Sequence, residues 1–289
     1  MIQIPEILKR RGFMGSLNRF AQIMARYGIT EKRIFRNLKD FSKLAESYGF
    51  RITIPITALT LNRHPNVLDI LNPEAVELAV HGLKHIDYTK LSFEKVLEHI
   101  KIAIDIFEEN CLNPIGFRAP YLKINETVLK AISEIGLRYD SSYPCLINEL
   151  KFQKFSKGHE TKEFLRKLYT NSVSEPNVLD IFGVKEFPVI LPDDVIVVDE
   201  LRLGLDEICE LWIEIIKKNL EKDSVFVFQI HPERFHILKP VIEKIIEFCF
   251  KKDVKLNSLS ELAEKVKFPS IAITGDIDII SIFDIPRVL

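Results

Sequence analysis

The feature that most constrains this chain is an alternation. Short runs of β-branched and other apolar residues, at 51–57, 77–80, 115–118, 186–190, 225–230, 254–257 and 271–274, are separated by stretches whose apolar residues recur at helical spacing. A near-continuous apolar strand must be covered on both faces, and a parallel sheet flanked by helices does this. Repeated βα units therefore predict an α/β fold whose parallel strands close into a (β/α) barrel.

The helical stretches carry their own start and stop signals. Ile34, Phe35, Leu38, Phe41, Leu44 and Tyr48 share one helical face, and Gly49 stands where a helix end favours a left-handed residue. Ser92 and Asn125 are placed to cap helices, and Ser258 with Glu261 reads as a capping box. Two regions break the rhythm. Residues 1–29 read as a helical extension, and 141–187, polar and weakly periodic with Gly158 and Pro176, reads as a lid-like insertion shaping a cleft. One domain over 1–289 accounts for the length.

Charge narrows the partners. Forty basic against forty-one acidic residues give a net charge of -1, so no global field draws the chain to nucleic acid or an anionic membrane. No apolar stretch is long enough to span a bilayer, and the first residues turn charged before a secretory signal could form. Cys111, Cys145, Cys209 and Cys249 are scattered without a CxxC pair, and a cytoplasmic location is expected.

The chemistry is legible in position. Four polar clusters each follow an apolar run: His81 to His85, Arg118 to Tyr121, His231 with Pro232, and Asp276 with Asp278. In a parallel barrel those strand ends share one face, where residues distant in sequence converge. Two imidazoles four positions apart suit zinc, although such a pair on its own more often has no function. Asp276 and Asp278 would point the same way on an extended chain, and two carboxylates in one site need a cation or a proton between them. The rival reading is an Asx-rich turn. His231 follows a run too apolar for a surface loop, which suits a general acid, against a buried histidine bonded to backbone. For Arg118 the rival is a surface ion pair.

Together these clusters resemble the polysaccharide deacetylase family, the NodB-homology domain of carbohydrate esterase family four. His81-Gly82-Leu83-Lys84-His85 is similar to its His-x-x-x-His motif, Arg118-Ala119-Pro120-Tyr121 to its Arg-x-Pro-Tyr motif, and Ile230-His231-Pro232 to its late His-Pro motif. The family's first motif, Thr-Phe-Asp-Asp, does not precede His81. Its best counterpart is Thr274-Gly275-Asp276-Ile277-Asp278, which implies a circularly permuted, distorted seven- or eight-stranded TIM-like barrel with strand 271–274 beside strand 51–57.

The resemblance implies a divalent metal held by Asp278, His81 and His85, zinc first, with cobalt, manganese or iron as alternatives. It makes Asp276 the general base, Arg118 its orienting partner, His231 the general acid, and the Tyr121 backbone N–H an oxyanion donor. Asp194, or else its neighbour Asp193, would orient His231, and Gly82 stands where the family commonly has Ser or Thr. The activity implied is removal of an N-acetyl or other N-acyl group from a small N-acylated carbohydrate or a carrier-linked amino sugar. Alternatives are hydrolysis of a cyclic amide or ureide, a non-catalytic carbohydrate-binding barrel, and a metal site that only fastens the chain end. Oligomeric state stays open.

Overall fold

A computed structural model describes residues 30–147, 165–166, 169, 171–220 and 224–284. The expected helical extension over 1–29 lies outside the described residues. Helix α1 (Lys32–Tyr48) buries Ile34, Leu38, Phe41, Leu44 and Ala45 along one side. It ends at Gly49, whose φ of 69° lets Phe50 N–H reach Ala45 O at 3.2 Å. Strand β1 (Ile52–Ile56) follows, then α2 (Ala58–Arg63), β2 (Val76–Val80) and α3 (Phe93–Glu109), which Ser92 caps as its sequence predicts. The short β3 (Gly116–Phe117), the Asn125-capped α4 (Glu126–Ile135) and β4 (Tyr139–Asp140) complete the first half.

The second half runs through β5 (Pro144–Cys145), β6 (Leu179–Ile181), β7 (Val184–Glu186) and β8 (Val189–Ile190) to α5 (Leu205–Asn219). Then come β9 (Val225–Gln229), α6 (Phe235–Lys251), β10 (Lys255–Leu256), α7 (Leu259–Glu264) with the expected capping box, and β11 (Ser270–Thr274).

The pairings close a ring. Running β9, β11, β1, β2, β3, β4, every neighbour is parallel. β4 and β5 are parts of one bent segment, as are β7 and β8. The first segment pairs with the second at Asp140↔Glu186 and Pro144↔Val189, and the second returns to β9 at Val189↔Val227. Seven segments thus form a distorted barrel. The two-residue β10 pairs β11 off this path, and β6 is antiparallel to β7.

Alternation along the strands sorts residues into two layers. Ile54, Ile56, Val80, Phe117, Phe226, Phe228, Ile271 and Ile273 belong to the large core packed under the helices, while Ala79, Tyr139, Phe187, Val189, Val225, Val227 and Ala272 form a second, inner core. Small residues make room inside: a Cβ on Gly116 would lie 1.8 Å from the Tyr139 ring. At the amino-terminal end α7 closes the ring, with Leu259 N–H on Thr53 Oγ1 (2.8 Å) and Ser260 N–H on buried Glu77 (3.0 Å).

One expectation needs correcting. The stretch 141–187 is not a single excursion, because Pro144–Cys145 and Val184–Glu186 are barrel wall. Its polar composition misleads because the wall segments are only two or three residues long, too short to show a period. Residues 148–164 lie outside the described residues.

Candidate active site

The inner-face positions just past β1, β2, β3, β4, β9 and β11 are polar: Thr57, His81, Arg118, Ser141, His231 and Asp276. From β2 the chain delivers His81, then turns at Gly82, where φ is 77° and a Cβ would lie 2.7 Å from the Tyr88 hydroxyl. That hydroxyl accepts from Leu83 N–H at 2.7 Å, so the turn that returns His85 to the site is built around Tyr88 and leaves no room for Ser or Thr at 82. From β11 the chain continues along β1: Ile277 bridges Ile56 and faces the outer core, which turns Asp276 and Asp278 inward together. Thr57 and Thr60 hydroxyls donate to Asp278 O at 3.1 and 2.8 Å and fix this end.

Asp278 Oδ1 stands 3.3 Å from His81 Nε2 and 3.4 Å from His85 Nε2. His81 Nδ1 donates to Arg118 O at 2.8 Å, which leaves its Nε2 lone pair facing the carboxylate. Burial, opposed by Asp278, drives the His85 pKa down to about 4, so its imidazole is neutral at neutral pH. Burial would raise the Asp278 carboxyl, yet the facing imidazoles outweigh it and hold it well below its usual range. Oδ1 is buried without a hydrogen-bond partner. Three electron-pair donors, all within 4.8 Å of one another, repel unless a cation lies among them, and two imidazoles with a carboxylate are a donor set that zinc accepts. The residues therefore fit the metal that the sequence implies.

Beside this cluster, Asp276 Oδ2 lies 4.0 Å from His81 Nε2. Its Oδ1 accepts from Arg118 Nη1 at 3.0 Å, and its Oδ2 from Gln229 Nε2 at 2.7 Å. Arg118 is 0% exposed, which rules out the surface ion pair. Its guanidinium also donates to Ser141 Oγ (2.8 Å), just past the adjacent β4, and to Thr274 Oγ1 (3.2 Å), at the end of β11 across the barrel interior. On the other side His231 Nδ1 meets Asp194 Oδ1 at 2.7 Å, and the His231 N–H donates to Asp194 Oδ2 at 2.8 Å. Burial opposes charge on Asp194, but the attraction and hydrogen bonds of His231, with Arg234 behind, prevail and lower its pKa. Burial and the Asp194 charge push Asp193 up to about 6, and its Oδ1 is spent on Ile196 N–H at 3.0 Å. Between the two aspartates, Asp194 is the partner of His231.

Every residue singled out in the sequence is thus brought to one end of the barrel. Tyr121, half exposed with φ 61°, packs its ring edge-on to His85 at 4.3 Å and donates its hydroxyl to His85 O at 3.3 Å. Gln229, Ser141 and Thr57 were missed. Gln229 had a signal, a polar residue two positions before His231 on a strand, hence on the same face. Ser141 and Thr57 are too common at strand ends to stand out.

Fold and site define a (β/α)-barrel protein with a buried His–His–Asp cluster at the carboxyl ends of its strands. Residues 36–139 match the family model described as "Polysaccharide deacetylase". That span holds His81, His85, Arg118 and Tyr121. Among solved structures, a putative polysaccharide deacetylase from Mycobacterium smegmatis is similar at 21% identity and TM-score 0.60, over 91% of this chain and 83% of that one. A probable polysaccharide deacetylase from Pseudomonas aeruginosa PAO1 is similar at 14% identity and TM-score 0.54, over 81% and 71%. A structure titled Puue Allantoinase is similar at 15% identity and TM-score 0.55, over 86% and 72%. No curated protein matches the chain.

Proposed function

We propose that the chain is a metal-dependent amide hydrolase that removes an N-acetyl or related N-acyl group from an amino-sugar-like substrate. One observation carries this reading: three ligand atoms converge within 4.8 Å, with an Arg-held carboxylate and an Asp-held imidazole beside them. His81, His85 and Asp278 would hold the metal, with zinc as first choice. When bound, it supplies Lewis acidity that polarises the acyl carbonyl and acidifies water.

The chain's own residues do the rest. Asp276 takes a proton from the attacking water, and Arg118 holds that carboxylate aimed at it. His231 gives a proton from Nε2 to the departing nitrogen, so the C–N bond breaks to leave an amine and a carboxylic acid. Asp194 holds the Nδ1 proton and favours the charged imidazolium that must form first. The Tyr121 backbone N–H is proposed as the donor to the developing oxyanion.

The motif order is read as a circular permutation of the family pattern. β11, lying between β9 and β1, supports this. The substrate is proposed to be small or carrier-linked and met in the cytoplasm, in keeping with four free cysteines.

The test pairs metal analysis with acetate release. Near-stoichiometric metal in the parent, lost in Asp278→Ala, together with acetate from N-acetylhexosamines, supports the reading. Equal metal in both proteins would remove Asp278 from the site, and turnover of ring amides alone would remove the sugar.

A further inference from the structure

Gln229 sits at a junction that the proposed reaction does not by itself call for. It ends β9, its register partner across the sheet is Thr274 of β11, and it is buried beneath the site. Its amide nitrogen reaches Asp276 Oδ2 at 2.7 Å and His231 Nε2 at 3.3 Å. An amide NH2 carries two protons, so one group can donate to both neighbours at once. The tautomer follows from the partners: Asp194 accepts at His231 Nδ1, so Nδ1 bears the ring proton and Nε2 presents a lone pair to Gln229. The other end of the amide, Oε1, is buried with no partner. A buried carbonyl left unpaired costs free energy, and turning the amide over would abandon two acceptors, so the observed orientation is held by the two donations.

We infer that Gln229 is a positioning residue that ties the Asp276 carboxylate to the His231 imidazole and sets their spacing across the substrate amide. This rests on the hydrolase reading of the site. The two groups come from different strands, Asp276 from the continuation of β11 and His231 from the end of β9. The hydrogen-bonded strands fix their backbones, and no hydrogen bond joins the two side chains directly among the described residues. Through one side chain, the carboxylate that accepts a proton and the ring that donates one keep a constant separation. When Nε2 carries the proton it is to deliver, the shorter donation to Asp276 still holds the amide in place beside the ring.

The variant Gln229→Met keeps length and volume and removes both donors. Full-length protein loaded with zinc is compared with the variant by imidazole 15N NMR, metal content and steady-state kinetics. The His231 Nε2 resonance is expected to move toward that of an unbonded ring nitrogen, with metal content unchanged. Loss of a hydrogen bond to a charged group should lower kcat about tenfold, with KM little changed. An unmoved His231 resonance overturns the inference, whatever happens to turnover, as does an unchanged kcat in a protein whose parent is active. If the parent hydrolyses no N-acyl sugar but the resonance moves, the hydrolase reading fails while the tie between the two side chains stands.

Discussion

Ile277 pairs with Ile56 across a parallel bridge, and this contact decides which way Asp276 and Asp278 face. Ile277 is buried in the outer core, its N–H donates to Pro55 O at 2.8 Å and its carbonyl accepts from Thr57 N–H at 3.2 Å. With residue 277 turned outward, its two neighbours turn inward. A split Asp-x-Asp on an extended chain therefore supplies both carboxylates to one cavity. Close approach matters as well: a Cβ on Gly275 would lie 2.7 Å from Ile230 O, so only glycine lets β9 and β11 come together there.

The central placement of β11 makes a strong prediction. Removing 270–289 takes out the segment between β9 and β1 and leaves both with unpaired edges. The truncated chain should show no cooperative thermal transition and should retain no metal. A truncation that melted cooperatively with metal bound would show that the ring closes without its C-terminal strand.

The metal-free site should weaken the fold as pH falls. His85 is held neutral down to about 4, against an ordinary 6.5, so between those values the unfolded chain binds a proton that the folded chain refuses. Stability from this group is full above about 6.5, is lost as pH falls toward 4, and totals roughly 3 kcal/mol at most. Asp278, also depressed, adds a further loss at lower pH in the same direction. Urea unfolding in chelator across this range should be steeper in pH for the parent than for His85→Gln, and identical slopes would contradict the assignment.

A second buried carboxyl pair predicts an asymmetry. Glu186 Oε1 accepts from Ser142 and Tyr143 N–H at 3.1 and 2.8 Å, while Asp140 accepts from Ser142 Oγ at 2.6 Å. Burial and the neighbouring Asp140 push the Glu186 pKa well above its usual value, so Glu186 is the neutral, proton-bearing member. Gln, neutral and of the same shape, should therefore cost little at 186. Ala leaves the two backbone donors unpaired and should cost about 1–3 kcal/mol or more by thermal melt. Equal losses for the two variants would mean that Glu186 is ionised.

Much of this was open to the sequence. Ser92, Asn125 and Ser258 announce helices because capping is local, and β1, β2, β9 and β11 announce themselves because a mostly apolar strand of five residues is long enough to show a pattern. β5 and β8 do not, since two residues have no period and their pairing is settled by the whole ring. The site was readable where a motif is chemically rare, as at His81 and His85. Gln229 showed its face, two positions before His231, but not its partner Asp276, and Ser141 was opaque because its importance lies in what faces it from another strand, Arg118. The choice of Asp194 over Asp193 was likewise made by the loop, in which Asp193 turns to cap Ile196 N–H.

The His231–Asp194 pair separates turnover from assembly. Neither residue belongs to the ligand triad, so His231→Ala should keep its metal while kcat falls about a hundredfold, the usual contribution of a general acid. It should also lose some stability, because Asp194 is 0% exposed and, among the described residues, would keep only Arg234, 3.8 Å away, as a charged partner. Asp194→Asn keeps the volume but can offer its amide N–H to Nδ1, favouring the tautomer with the proton on the wrong side, and should cost about tenfold or more in kcat. Elemental analysis beside single-turnover rates checks both. A His231→Ala protein with metal and an unchanged rate would take His231 out of the proton path, and the acid would then have to be sought on the opposite wall, at Tyr121.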